Sequence, residues 1–253
     1  MIMVEKYIKY NGNYTKVLSC DQCKAGIVTL NENVKIICEC AFQDCKHIRG
    51  INLPQYLEVI EEDAFKDCCG LTEISIPASV SEIRKSAFAG CFNIKKVSIE
   101  GALQIVPNYC FAGCMTLTEI ELPESVKKIC NSAFFNCKNL TELYLPESLE
   151  EIGDNVFDGC DNLDQLIIPS GVKRIGNFLY ANNHIDEIII LTETPPEVSE
   201  LCIKCSERYD KYADLGFDSP FDEIKLVVQS DALIQYITHP FWGKFNCIIT
   251  LDD

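Results

Sequence analysis

The chain has 253 residues, of which 47% are apolar and 24% charged, so it is long enough to bury a core and too apolar to be disordered. Acidic residues outnumber basic ones by 38 to 22, which gives a formal charge of −16. Because no block of Lys or Arg offsets this excess, the sequence does not favour a nucleic-acid partner.

Residues 1–27 are more polar than the rest of the chain and lie outside the repeat described below. They are predicted to form an N-terminal cap that covers the first coil. The first 20 residues lack the apolar run of a signal peptide, and no later stretch of about 20 apolar residues predicts membrane insertion. Taken as written, the sequence predicts a cytoplasmic protein, or one at the cell surface if a leader has been removed.

From residue 28 to residue 191 the sequence repeats itself every 23 residues. A Phe recurs at one position and a Cys three residues later, and Tyr180 and Asn183 occupy the next places in the two series. The predicted core columns are Phe42, Phe65, Phe88, Phe111, Phe134 and Phe157, with Cys45, Cys68, Cys91, Cys114, Cys137 and Cys160. Because so short a unit cannot bury its own apolar residues, successive units must stack as a solenoid.

Each unit contains three short segments. The pattern I-x-I-P alternates with a period of two, which predicts a strand that ends at proline and pairs in parallel with its neighbours. A second extended piece, V-x-x-I, follows. The segment A-F-x-x-C is too short for a full helix and is predicted to be a helical turn with its Phe in the core.

A unit such as LTEISIPASVSEIRKSAFAGC, residues 71–91, resembles the leucine-rich repeat of the BspA-like family. The resemblance implies a leucine-rich-repeat solenoid with one parallel sheet face. It also implies adhesion or protein binding, in a family whose members are mostly cell-surface or secreted proteins.

After Leu191 the period is interrupted by Pro195 and Pro196, so residues 192–253 are predicted to form a C-terminal cap. Its predicted elements are a strand over residues 224–228 and a short helix to about residue 238, capped by Ser230. The tail also resembles the terminal cap of bacterial family members through Tyr236, Trp242 and Phe245.

Sixteen cysteines leave several interpretations open. The six in the periodic column are predicted to be buried, reduced thiols, although disulfides between adjacent coils fit the coil spacing. Cys20-x-x-Cys23 and Cys202-x-x-Cys205 have zinc-ligand spacing, but they lie in opposite caps and cannot meet within one chain. Redox chemistry at either pair is less favoured than metal binding, because it requires a helix N-terminus or a cation that lowers the thiol pKa, and Asp21 opposes this at the first pair. No metal site and no cofactor are predicted.

No catalytic residues are predicted either. The three histidines, His47, His184 and His239, share no column of the repeat, and a cysteine nucleophile requires a histidine within hydrogen-bond reach. Phosphate-binding loops and hydrolase motifs are also missing from the sequence.

The strand residues that alternate with the buried ones form an open face, which is the usual binding surface of a solenoid. In the N-terminal half this face is polar, whereas towards the C-terminus it becomes apolar next to an acidic rim. The predicted apolar patch is Tyr144, Ile167, Ile188 and Ile190, and the rim is Glu119, Glu121 and Glu142. The patch either binds a protein or is covered by the C-terminal cap.

These observations predict a non-enzymatic, adhesion-type module that binds a protein through its sheet face. The alternative is a surface protein that binds carbohydrate or extracellular matrix, with Tyr144 stacked on a sugar. The sequence leaves the partner's identity and the oligomeric state open.

Overall fold

The computed structural model describes residues 2–3, 7–21, 26–178, 185–212 and 219–252. In these ranges the chain winds into coils that each have a long strand, a short strand and a turn side. Equivalent strands of successive coils pair in parallel, which confirms the predicted solenoid. Tyr180, Asn183, His184 and Cys23 lie outside the described residues.

The long strands form three consecutive parallel sheets, ordered β1-β4-β6, β8-β10-β12-β14 and β16-β18-β20-β21. In the coils with Pro54, Pro77, Pro123, Pro146 and Pro169 the strand ends one or two residues before the proline, as the missing N–H of proline requires. The long strands are β1 (Ile2–Met3), β4 (Gly26–Thr29), β6 (Ile48–Asn52), β8 (Glu73–Ile76), β10 (Lys96–Ile99), β12 (Glu119–Glu121), β14 (Glu142–Tyr144), β16 (Gln165–Ile168), β18 (Glu187–Ile190), β20 (Lys225–Val228) and β21 (Cys247–Thr250).

The short strands form two further sheets, β2-β3-β5-β7-β9 and β11-β13-β15-β17-β19. The two sheets meet at the coil in which Glu100 replaces the proline. The short-strand sheets contain β2 (Ile8–Tyr10), β3 (Lys16–Cys20), β5 (Ile36–Ile37), β7 (Val59–Ile60), β9 (Glu82–Ile83), β11 (Ile105–Val106), β13 (Lys128–Ile129), β15 (Glu151–Ile152), β17 (Arg174–Ile175) and β19 (Glu197–Val198).

The third side of each coil is a pair of tight turns instead of the predicted helical turn. Two residues per coil, four positions apart, have left-handed backbone angles, which interrupt a helix. The second of these columns contains only residue types that tolerate this conformation, namely Asp44, Asp67, Gly90, Gly113, Asn136 and Gly159. Between the turns the N–H groups bond to the next coil, as in Phe65 N–H to Ala87 O at 2.8 Å.

The core is built from the two columns that the repeat identifies, and all twelve of their residues are buried. The rings from Phe42 to Phe134 stack with centroids 5.1 to 5.7 Å apart and planes within 8°. Each thiol from Cys68 to Cys160 donates to the carbonyl of the Phe 26 residues earlier, at 3.0 to 3.4 Å. The six cysteines of the column are free, so no disulfide joins adjacent coils there.

The N-terminal segment joins the ladders in addition to covering them. β2 and β3 form an antiparallel hairpin, and β3 continues in parallel into β5 through Lys16 and Ile36. The short-strand ladder therefore begins before residue 28, where the sequence divides the cap from the repeat array.

The strict period fails once, near the C-terminus of the array. Leu166 pairs with Ile188, a step of 22 residues, whereas on the short-strand side Arg174 pairs with Glu197, a step of 23 residues. The long-strand register has therefore slipped by one residue, and the loop before β19 restores it. Because side chains alternate along a strand, a one-residue slip exchanges the inward and outward positions.

The C-terminal cap is more helical than predicted, with α1 (Glu200–Tyr212), α2 (Pro220–Glu223) and α3 (Leu233–Thr238). The predicted strand is β20, and β21 adds another strand beside it. Ser230 does not cap α3: it begins a 3-10 turn, and its hydroxyl donates to Asp252. None of the described helices is long and apolar enough to cross a membrane.

Candidate functional site

The candidate site is the outward face of the long-strand ladder, where parallel pairing brings equivalent residues side by side. Glu119 pairs with Glu142, and Glu121 pairs with Tyr144 on the next strand. Strand alternation directs these three glutamates and Tyr144 outward and buries the intervening Ile120 and Leu143. The face is therefore fixed by the same hydrogen bonds that hold the coils together.

Two predicted members of the apolar patch remain on this face. Tyr144 is 71% exposed and Ile167 is 42% exposed. The C-terminal cap does not cover them, because its strands β20 and β21 extend the sheet instead of folding back over it. The alternative in which the patch is covered core is thus excluded for these two residues.

The prediction is wrong for the other two members of the patch, Ile188 and Ile190. They are 2% and 0% exposed and belong to the core, because the 22-residue step turns them inward. Ile189, which the strict period places in the core, takes the outward position and pairs with Ile167. The run of three isoleucines conceals the slip, since either register places an apolar residue inside.

The corrected register gives a longer apolar row than the sequence predicts. Ile189 pairs with Val227, which pairs with Ile249. We call the row Tyr144, Ile167, Ile189, Val227 and Ile249 the apolar stripe. Val227 is buried, and Ile189 and Ile249 are partly exposed, so the accessible part of the stripe lies at Tyr144 and Ile167. The cap residues of the stripe have no periodic relation to the repeat, so the sequence gives no register for them.

The rim next to Tyr144 carries uncompensated negative charge. Glu119 forms an ion pair with Lys96 at 3.2 Å, whereas Glu121 and Glu142 have no ion pair within the part of the chain that the structure describes. Adjacent like charges on paired strands destabilise a sheet, and Glu119 lies directly beside Glu142. The rim therefore favours a positively charged group in contact with it.

Further along the row that contains Glu119 and Glu142, at the C-terminal end of the stripe, the charges are paired. Lys225 Nζ donates to Glu187 at 2.8 Å and Gln165 donates at 2.5 Å. The hydrogen bond from Lys225, followed by that from Gln165, lowers the pKa of the Glu187 carboxyl. Unpaired acidity is thus concentrated at the Tyr144 end of the stripe.

Three cysteines and one histidine of the sequence alternatives lie in structural surroundings. Burial, helped by the carboxylates of Asp44 and Asp21, raises the pKa of Cys45 to about 11. Burial similarly raises the pKa of Cys202 to about 12, which opposes thiolate formation. Cys20 is disulfide-bonded and so is not a thiolate ligand. His239 Nδ1 accepts from the N–H groups of Phe241 and Trp242, which is a structural role.

The groove near Tyr56, at the opposite end of the chain, was not predicted from the sequence. Tyr56 is 61% exposed and lies in a turn where the other coils carry mainly small residues. A large aromatic residue in this column of small residues is the feature of the sequence that could have indicated the groove. The N-terminal hairpin that completes the groove has no repeat register from which its position could be predicted.

A model of the BspA type leucine rich repeat region matches six copies over residues 18–117 and 104–208. A leucine-rich repeat protein from Bacteroides ovatus is similar in structure, with 21% identity, a TM-score of 0.63, and coverage of 100% of this chain and 69% of the other. A leucine rich cell surface protein from Faecalibacterium prausnitzii is 17% identical with a TM-score of 0.56, covering 98% of this chain and 94% of the other. No curated protein matches. The repeat match spans most of the sequence, and the chain therefore belongs to the BspA-type leucine-rich-repeat family.

Proposed function

We propose that the chain is a non-enzymatic binding module whose open sheet face holds a protein partner. The observation that carries the proposal is the exposure of Tyr144 and Ile167 on the neighbouring strands β14 and β16 of the long-strand face. Large aromatic residues are frequent anchors of protein interfaces, because they bury much area at low entropic cost. An adhesion role follows from the same surface, and the similarity to a leucine rich cell surface protein supports it.

The chemistry of the face defines the partner. An apolar side chain would pack on Tyr144 and Ile167, and a Lys or Arg beside it would face Glu121 and Glu142. Charged rims chiefly raise the association rate and orient the partner, whereas the buried aromatic anchor supplies most of the affinity. Binding should therefore weaken with added salt but persist in part.

The test is affinity capture from host-matrix extract and from the lysate of the source cell, followed by titration of the captured protein. Replacing Tyr144 with Ala should cost about 2 kcal/mol or more, which is roughly a thirtyfold loss of affinity. The combination Tyr144→Glu and Ile167→Glu should abolish binding, and Glu121→Lys with Glu142→Lys should slow association.

Two exposed residues elsewhere provide matched controls. Ile105 is 49% exposed on the short-strand side, and Tyr56 is 61% exposed. Ile105→Glu and Tyr56→Ala should leave capture unchanged, and circular dichroism should show that every variant is folded. Loss of capture by either control, or retention by the folded Tyr144→Glu, Ile167→Glu variant, would exclude the sheet face.

A further inference from the structure

A second site lies near the N-terminus, remote in sequence from the apolar stripe. Three loops meet there around Tyr56: the tip of the β2–β3 hairpin, the turn at residues 31–33 and the turn at residues 54–58. They line an open groove of about 560 Å³, a volume within the range of small-molecule sites. The groove therefore has the dimensions of a ligand site.

Tyr56 has no evident structural function in its own coil. At the equivalent turn in other coils, Ser79, Ser125 and Ser148 donate to a carbonyl of the preceding coil at 2.6 to 2.9 Å. Within the described residues the side chain of Tyr56 makes no such hydrogen bond, and its ring remains mostly exposed. A mostly exposed aromatic ring in a concave surface keeps an apolar face available to a ligand.

The polar groups around the ring are held in place and keep unused hydrogen-bonding capacity. Asn13 Oδ1 accepts from Asn11 at 2.6 Å and from Thr15 at 2.8 Å, which fixes the amide and leaves its NH₂ group available. Lys35 Nζ lies 2.6 Å from Glu58 Oε1, so the second oxygen of Glu58 can still accept. The side chain of Asn33 also has no partner in the described part of the chain.

We propose that this groove binds a neutral carbohydrate. A pyranose ring presents an apolar C–H face, which can pack on Tyr56, and peripheral hydroxyls that both donate and accept. Asn13 and Asn33 can donate to those hydroxyls, and Glu58 can accept from them. The ion pair with Glu58 neutralises Lys35 and leaves Glu32 as an unpaired charge among the described residues, so anionic sugars are disfavoured. The site is independent of the protein-binding face.

The experiment is a nitrogen-15 NMR titration of the full chain with two neutral trisaccharides, maltotriose and the N-acetylglucosamine trimer, at up to about 10 mM, a range suited to Kd values near 1 mM. At least one should shift the amides of residues 11–15, 31–35 and 55–58. Tyr56→Ala should weaken that binding by about threefold to tenfold, the range expected for an aromatic stacking contact, whereas Tyr56→Phe should preserve it.

Tyr144→Ala is the matched control, because it removes an equally exposed tyrosine from the other site. It should leave the titration unchanged. The proposal is overturned if neither trisaccharide shifts the three loops, if Tyr56→Ala binds as the wild type does, or if trigalacturonate binds as tightly as the neutral sugars. Shifts confined to Tyr144 and its neighbours would also overturn it and would place carbohydrate on the sheet face.

Discussion

The register slip between β16 and β18 predicts very different losses of stability when each of two adjacent residues, Ile188 and Ile189, is truncated. Replacing Ile188 with Ala should destabilise the protein by about 3 kcal/mol, because the residue is 2% exposed and truncation leaves a core cavity. Replacing Ile189 with Ala should cost less than about 1 kcal/mol, because it lies on the outward face and is only partly buried. A strict 23-residue register predicts the reverse order.

The structure also supplies the assay. Trp242 is the single tryptophan, is fully buried, and lines the same small internal cavity as Ile188. Its fluorescence during equilibrium unfolding in urea therefore reports on this end of the solenoid. A loss of 3 kcal/mol corresponds to a fall in Tm of roughly 6 to 12 °C for a chain of this size.

Circular dichroism should be followed in parallel, because repeat arrays do not always unfold in one step. If the two signals coincide, the comparison of the two variants is direct. If Ile189→Ala proves the more destabilising substitution, the outward assignment of Ile189 and the apolar stripe built on it are both wrong.

Three further outcomes are expected. Cys114→Ala should lower the free energy of unfolding in urea by about 1 to 2 kcal/mol, because a buried sulfur and a weak hydrogen bond are lost. The loss stays moderate because Phe88 O still accepts from Cys91 N–H, and a loss above about 4 kcal/mol would contradict this account. The Glu187 carboxyl should titrate below its ordinary pKa in carbon-13 NMR, and Lys225→Met should raise that pKa. The stabilisation of the fold by the Glu187 carboxylate is present above the unfolded-state pKa and is lost as the pH falls through the folded-state pKa. An unchanged Glu187 pKa in Lys225→Met would refute the pairing. Gly176→Ala should cost about 3 kcal/mol or more of stability, since a Cβ there would lie 2.2 Å from the backbone of Gly153. Gly113→Ala, with no such contact, should cost about 1 kcal/mol because of its positive φ. Equal losses of stability would show that the close approach to Gly153 does not matter.

Most of the fold could be predicted from the repeat, because every coil places the same residue types at equivalent positions. Phe88 and Cys91 are buried because their positions in the coil determine their surroundings, and each of these two positions recurs six times in the sequence. The thiol-to-carbonyl bonds were not predictable, since spacing does not determine where a sulfur donates. The left-handed turns were visible only indirectly, through the Asp, Asn and Gly of the column that includes Asp67 and Gly90.

The candidate site was predictable only where the period holds. Tyr144 and Ile167 lie inside the regular array, and their outward orientation follows from alternation along the strand. Ile188 and Ile190 lie beyond the slip, where an uninterrupted apolar run gives no information about register. The groove at Tyr56 depends on the position of a hairpin outside the repeat, which only the packed structure determines.

The spacing of the strands bears on the shape of a protein that could cross the apolar stripe. Four of its residues lie on the paired strands β16, β18, β20 and β21, which are about 4.8 Å apart, and Tyr144 lies on β14, the last strand of the preceding sheet. Same-side residues of an extended peptide recur about every 6.8 Å, whereas the turns of an α-helix recur every 5.4 Å. The spacing of the rows is therefore closer to the rise of one helical turn than to the side-chain repeat of a strand, and because Val227 is buried, a helix crossing the stripe would make its main contacts with Tyr144 and Ile167.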